Sequence, residues 1–263
     1  GADEQKILKR VGVPENVRLA CQLRPTKDLE VIPLLPPNAT PKDAYRKPAH
    51  LQGSEREVAI LFADIRKFTQ FSENKLPYDV VFVLNRYFRA MGEVVDETGG
   101  ELDKFIGDGV MALFGANTTP EEGCRRVLEA ARRMSIALDE LNQALRADLD
   151  EPLRIGIGIH LGTVIVGEMG FSNAVSFTAI GDAVNTASRL EQATKEYSCQ
   201  LIVSQDICKR AGVALVEFPL HEIQIRGRGQ PVRVHCVEKA SDMSEIELQL
   251  GRRARRERVP AAP

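Results

Sequence analysis

Residues 104–115 read KFIGDGVMALFG, two apolar runs separated by Gly107, Asp108 and Gly109. Apolar residues around an Asp-Gly pair are among the strongest short-range signals for a β-hairpin, because the loop needs residues that accept positive φ. The spacing predicts strands over Glu101–Ile106 and Val110–Phe114. A turn needs no further role for its carboxylate, so Asp108 alone reads as loop chemistry. A second apolar run, EVAILFAD at 57–64, also ends on a carboxylate, Asp64. Asp64 alone reads as a helix N-cap. If that run lies beside the hairpin, however, both carboxylates meet at one sheet edge.

The rest of the chain is read by its periodicities. Helical spacing runs from Pro77 to Thr98, with Gly99-Gly100 past its end, and again from Pro120 to Asp148 behind Pro120-Glu121-Glu122. LRIGIGIHLGTVIVGEMG at 153–170 predicts two strands turning near His160-Leu161-Gly162. A polar loop over 170–177 and a helix capped by Asp182 follow. Then come a strand at Gln200–Val203, a short helix, and strands near 214–225 and 232–238. Hairpins mixed with helices, without strict strand–helix alternation, indicate an α+β fold with a mainly antiparallel sheet covered by helices.

The domain boundaries expected are a short N-terminal segment over 1–35, a Pro-rich linker over 36–56, a regular domain over 57–240 and a charged tail over 241–263. The tail carries RRARRER at 252–258, read as a solvated terminus. Lys and Arg number 35 against 37 Asp and Glu, a net charge of -2. That balance provides no global basic field, so bulk nucleic acid is excluded as a partner. No apolar run approaches the roughly 18 residues of a membrane span. The five cysteines, Cys21, Cys124, Cys199, Cys208 and Cys236, are scattered and contain no C-x-x-C pair. This usage argues against a disulfide framework or zinc site and fits a reducing, cytoplasmic setting.

Paired carboxylates without His or Cys suit Mg2+ or Mn2+, ions that bridge nucleotide phosphates. A helix starting just after Asp64 would turn its free N–H groups toward the same place. Asn185 and Arg189 are four apart on a predicted helix and share a face. Arg226 and Arg228 follow a predicted strand, and arginine suits phosphoryl oxygens through its planar fork.

Five segments in order, FADIRKFT (62–69), LDKFIGDGVMALFG (102–115), GIGIHLGTVIVGEMG (156–170), FTAIGDAVNTASRLE (177–191) and IRGRGQPVRVHCV (225–237), resemble the catalytic domain of class III nucleotidyl cyclases. The resemblance covers about 57–238 and implies a ferredoxin-like palm that works as a homodimer, with its sites in the groove between two domains. It implies Asp64, Asp108 and the Ile65 carbonyl as ligands of two Mg2+ or Mn2+ ions per site. Asn185 would orient the ribose, Arg189 would neutralise the phosphate under attack, and Phe68, Thr69, Arg226 and Arg228 would contact the phosphates. The base would be read by Lys104 and Thr178. Lys104 donates to N1 of adenine and Thr178 accepts from the 6-amino group, whereas guanine presents the opposite polarity. ATP is therefore the expected substrate and 3',5'-cyclic AMP the product. Thr178 where Asp is commoner resembles the subgroup that includes cyanobacterial and mammalian soluble adenylyl cyclases.

Two positions depart from the family pattern: Lys67 stands where Gly is frequent, and Arg stands for Lys at the terminal-phosphate position. Residues 17–35 resemble the closing part of a plant-type ferredoxin module with Cys21 at its last ligand position, but the preceding C-x4-C-x2-C run is absent, so no iron–sulfur cluster is expected. That remnant leaves room for an upstream sensor or membrane domain in a longer protein. The alternative reading is a catalytically silent cyclase-homology module that dimerises or binds nucleotide. Its signature would be loss of a metal Asp or of the Asn/Arg pair, and all four residues are present. A diguanylate cyclase would show a GGDEF-type hairpin where this chain has IGDGV.

Overall fold

The computed structural model describes residues 53–171, 174–225 and 229–246, together with Thr26. By contact density the chain divides into a main body, Glu55–Val166 with Ser176–Pro263, and a second unit, Gly1–Ser54 with Gly167–Val175. Apart from Thr26, the described part of the second unit is strand residues; the rest of the N-terminal segment, with Cys21, most of the Pro-rich linker and most of the charged tail lie outside the described residues.

Along the chain run β1 (Gly53–Ile65), α1 (Phe68–Glu73), α2 (Pro77–Glu97), β2 (Glu101–Ile106), β3 (Gly109–Phe114), α3 (Pro120–Ala144), β4 (Ile155–Phe171), β5 (Ala174–Ile180), α4 (Asp182–Ala193), β6 (Leu201–Ser204), α5 (Gln205–Ala211), β7 (Leu220–Ile223) and β8 (Val232–Val237). Among the described residues the strands form one sheet in the order β2-β3-β1-β4-β6-β8-β7, with β5 paired to β4 off that path. The pairs β1/β3, β2/β3, β6/β8 and β7/β8 are antiparallel and β4/β6 is parallel. This is the expected α+β class, with a mixed and mainly antiparallel sheet.

The unbroken apolar runs of β1 and β3 follow from burial on both sides. Alternate residues Ala59, Leu61, Ala63 and Ile65 enter the main core with Val110, Ala112 and Phe114, joined by Tyr87, Met91, Leu128 and Met134 from α2 and α3. The intervening Val58, Ile60, Met111 and Leu113 enter a second cluster with Ala183 and Ala187 of α4. Side chains two apart on a strand share a face, so both sets must be apolar.

Several boundaries differ from the sequence expectation. β1 begins at Gly53, so the last residues assigned to the linker, 53–56, belong to a strand. Their polar side chains hid this, although Arg56 anchors the segment by donating to the Ala116 carbonyl at 2.7 Å. The stretch 153–170 does not turn at His160-Leu161-Gly162, because β4 is one strand through Phe171. Its glycines serve close packing: a β-carbon on Gly162 would lie 2.5 Å from Cβ of Ala183. The loop expected over 170–177 is largely strand, since β5 starts at Ala174. Asp182 is the first residue of α4 rather than its cap, which is Gly181 in extended conformation. There Asp182 still complements the helix dipole.

Candidate active site

The β2–β3 hairpin closes through Gly107 and Asp108, with Ile106 paired to Gly109. Gly107 takes φ +62, the left-handed geometry a two-residue loop demands, and Asp108 follows it. Antiparallel pairing sets Ala63 of β1 against Val110 of β3, which brings Asp64 alongside the loop. The two carboxyl groups are therefore close neighbours. Burial first, then the neighbouring Asp108 carboxyl and the charge of Glu191, push the Asp64 carboxyl up to about 7, with Lys195 pulling the other way. Carboxyl oxygens forced together in this way, next to the end of β1 at Ile65, are the all-oxygen donor set that a hard divalent cation takes.

Beyond Ile65 the chain turns through Lys67, a non-glycine residue at φ 58 and ψ 28, into α1. This is the left-handed region that glycine enters without a steric penalty. The first i to i-4 hydrogen bond runs from Phe71 N to Lys67 O at 3.1 Å. The amides of Phe68 and Thr69 precede it and have no acceptor within the helix. The Thr69 side chain is exposed, while Phe68 packs against the core.

Lys104 and Thr178 meet although they lie on different strands. Lys104 Nζ donates to Thr178 Oγ1 at 3.0 Å. Thr178 is buried, and its hydroxyl donates to Asp103 Oδ2 at 2.6 Å. Asn185 and Arg189 both lie on α4, Asn185 exposed and Arg189 half-buried. Among the described residues, neither Asp64 nor Asp108 shares a hydrogen bond or ion pair with Asn185 or Arg189. Arg226 and Arg228 lie outside the described residues.

The sequence profile of the adenylate and guanylate cyclase catalytic domain matches residues 51–239. The chain belongs to this cyclase family. An adenylate cyclase of Anabaena cylindrica is 36% identical over 193 residues, 70% of this chain and 37% of that protein. Adenylate cyclase 1 of Rhizobium meliloti is 32% identical over 203 residues, 75% of this chain and 30% of that protein. The match thus spans about a third of the length of those relatives. Among solved structures, the guanylyl cyclase Cya2 superposes with a TM-score of 0.65 at 35% identity, covering 71% of this chain and 93% of that one. The adenylyl cyclase CyaB from P. aeruginosa gives 0.63 at 29%, covering 71% and 95%.

Three side chains of the cyclase domain that sequence reading passed over adjoin these groups. Asp103 is the residue before Lys104, and its side chain is fully buried. Tyr87 is fully buried on α2, and its phenol is pushed up by burial and by the charges of Asp64, Asp108 and Glu191. Glu191 is buried on α4, and burial raises its carboxyl too, opposed by Lys195 and Arg66. None of the three left a usable signal in the sequence, since on a regular strand Asp103 would face away from Lys104.

Proposed function

We propose that this domain is an adenylyl cyclase, converting ATP to 3',5'-cyclic AMP and pyrophosphate in a homodimer with sites at the interface. The observation that carries the reading is the contact between Lys104 and Thr178, 3.0 Å apart and matched to the N1 and 6-amino edge of adenine. Similarity to a guanylyl cyclase does not oppose it, because purine polarity depends on these few side chains and not on the scaffold.

Asp64, Asp108 and the Ile65 carbonyl would hold two Mg2+ or Mn2+ ions per site. Bound there, the ions lower the pKa of the ribose 3'-hydroxyl and neutralise the triphosphate. The open amides of Phe68 and Thr69, with Arg226 and Arg228, hold the phosphates. Asn185 orients the ribose so that its 3'-oxygen stands in line with the α-phosphorus. The 3'-oxygen bonds to that phosphorus, the bond to the β-phosphate breaks, the hydroxyl proton leaves to solvent, and pyrophosphate departs. Arg189 meets the charge that develops on the α-phosphate. A shared site explains why the carboxylate pair and the Asn/Arg pair need no contact within one chain. Exposed apolar side chains on α2, β2 and β5, including Phe82, Phe105, Ile106 and Phe177, supply surface for a second copy.

The test is product formation by the purified chain with ATP or GTP and Mn2+ or Mg2+, with cyclic nucleotides separated by chromatography. Cyclic AMP with little cyclic GMP is expected. Cyclic GMP as the main product would overturn the base assignment, and no product at high protein concentration would favour the silent module.

A further inference from the structure

We propose that Asp103 is a positioning residue that gives the base pocket its polarity, by holding the Thr178 hydroxyl as an acceptor. The inference rests on the ATP reading above and adds a residue to it. A threonine hydroxyl has one hydrogen and two lone pairs, so by itself it accepts from an amino group or donates to a carbonyl. Thr178 therefore cannot tell adenine from guanine unless something fixes its hydrogen. Asp103 does so: Oδ2 takes the hydroxyl hydrogen at 2.6 Å. One lone pair of Thr178 receives Lys104 Nζ at 3.0 Å, and Nζ also lies 3.5 Å from Asp103 Oδ1. What remains is a single lone pair, which takes an N–H and repels a carbonyl oxygen.

The backbone is built to allow this. Asp103 and Lys104 are adjacent, and on a regular strand their side chains would point to opposite faces. The β2–β3 register shifts between Leu102, paired with Ala112, and Lys104, paired with Met111, leaving Asp103 as the extra residue. Such a bulge re-aims a side chain, and here both neighbours reach the same hydroxyl. The Asp103 side chain is fully buried and Thr178 is 6% exposed, so water does not compete for the proton. Asp103 Oδ1 has no hydrogen-bond partner of its own among the described residues, only the nearby ammonium of Lys104. A carboxylate is buried at a cost, and its contacts run to Thr178 and Lys104.

The experiment compares kcat/KM for ATP and GTP in the parent, Asp103→Ala, Asp103→Asn, Thr178→Val and the double variant Asp103→Ala with Thr178→Val. Freed from Asp103, the hydroxyl can donate to O6 of guanine. The ATP-to-GTP ratio should then fall about tenfold in Asp103→Ala, through KM more than kcat, the scale set by one mispaired buried group. Asp103→Asn keeps volume and removes charge, and carries the test if the alanine variant fails to fold; at least about a threefold fall is expected on the same ground. In the Thr178→Val background, loss of Asp103 should leave the ratio where Thr178→Val put it. A parent that selects ATP combined with Asp103 variants that keep its full ratio would overturn this proposal alone. A fall of the ratio in the Thr178→Val background would do so too, by showing that Asp103 acts on the fold rather than on the hydroxyl. A parent that prefers GTP would overturn the ATP reading and this inference with it.

Discussion

A β-carbon placed on Gly158 would lie 2.1 Å from the backbone nitrogen of Glu191 and 2.4 Å from the Ala187 carbonyl oxygen. Strand β4 and helix α4 therefore touch backbone to backbone, and the helix carrying Asn185 and Arg189 is seated at a distance that only glycine permits. No real Cβ contact is that short, and the groups in the way are main chain, which cannot rotate aside.

Gly158→Ala should accordingly destabilise the domain by about 3 kcal/mol or more, the upper range for overpacking a core. Denaturant titration by circular dichroism measures the loss. Any folded remnant should lose activity further than its folded fraction accounts for, because α4 must move. A variant as stable as the parent would show that the helix can slide away without cost.

Burial and the neighbouring Asp108 carboxyl both raise the Asp64 carboxyl. Without a cation this arrangement stores repulsion, so Asp108→Asn should leave thermal stability equal to or above that of the parent in chelator. Added Mn2+ should raise the parent's Tm through linkage, about 2.7 kcal/mol at a hundredfold excess over Kd, and leave the variant's Tm nearly unmoved. On the proposed reading, cyclase activity should be lost in the variant while the parent's oligomeric state is kept. Calorimetric scans with and without Mn2+ separate these outcomes. An equal Mn2+ response in both proteins would show that Asp108 is not a metal ligand.

Lys67 at φ 58 and ψ 28 holds a conformation that costs a residue with a side chain roughly 1 kcal/mol or more. Lys67→Gly removes that strain but frees the unfolded chain, and the two effects partly cancel. A net gain of up to about 1 kcal/mol is expected from the strain term. Urea midpoints of the two proteins decide the sign.

The hairpin at Asp108, the strand ending at Asp64 and helices α2 and α3 were legible because each is announced locally, by apolar period, turn chemistry or a proline at the helix start. The turn wrongly expected in β4 arose where glycine had two meanings. Gly162 resembles a turn residue in sequence, yet its role is set by Ala183, twenty-one positions away and known only once the sheet is assembled. Asp103 was illegible for a related reason. On a regular strand it would face away from Lys104, and the register shift that turns it toward Thr178 is a property of the pairing with β3 rather than of the residues themselves. The contact of Lys104 with Thr178 spans the hairpin and β5, so only the resemblance to a known family could place it in advance.

Glu129 offers a test of the fold away from the site. It is fully buried on α3 and accepts from Arg132 Nε at 2.9 Å, Arg133 Nε at 2.7 Å and the Ile246 amide at 3.2 Å. Burial pushes its carboxyl up, but the hydrogen bonds from Arg132, Arg133 and Ile246 outweigh that and hold it below the usual carboxylate range. A carboxylate depressed in the folded state stabilises the protein fully above its unfolded pKa, near 4.3, and that stabilisation is lost as the pH falls through the folded value. Glu129→Gln keeps the shape and removes the charge, so it should cost about 2–3 kcal/mol at pH 7. The gap should narrow as the pH drops below about 4, where the parent's own carboxyl takes up a proton. Urea unfolding of both proteins from pH 7 down to pH 3 measures it. A gap that stays constant across that range would show that the arginines gain nothing from the Glu129 charge and that the Glu129→Gln variant differs from the parent in packing alone.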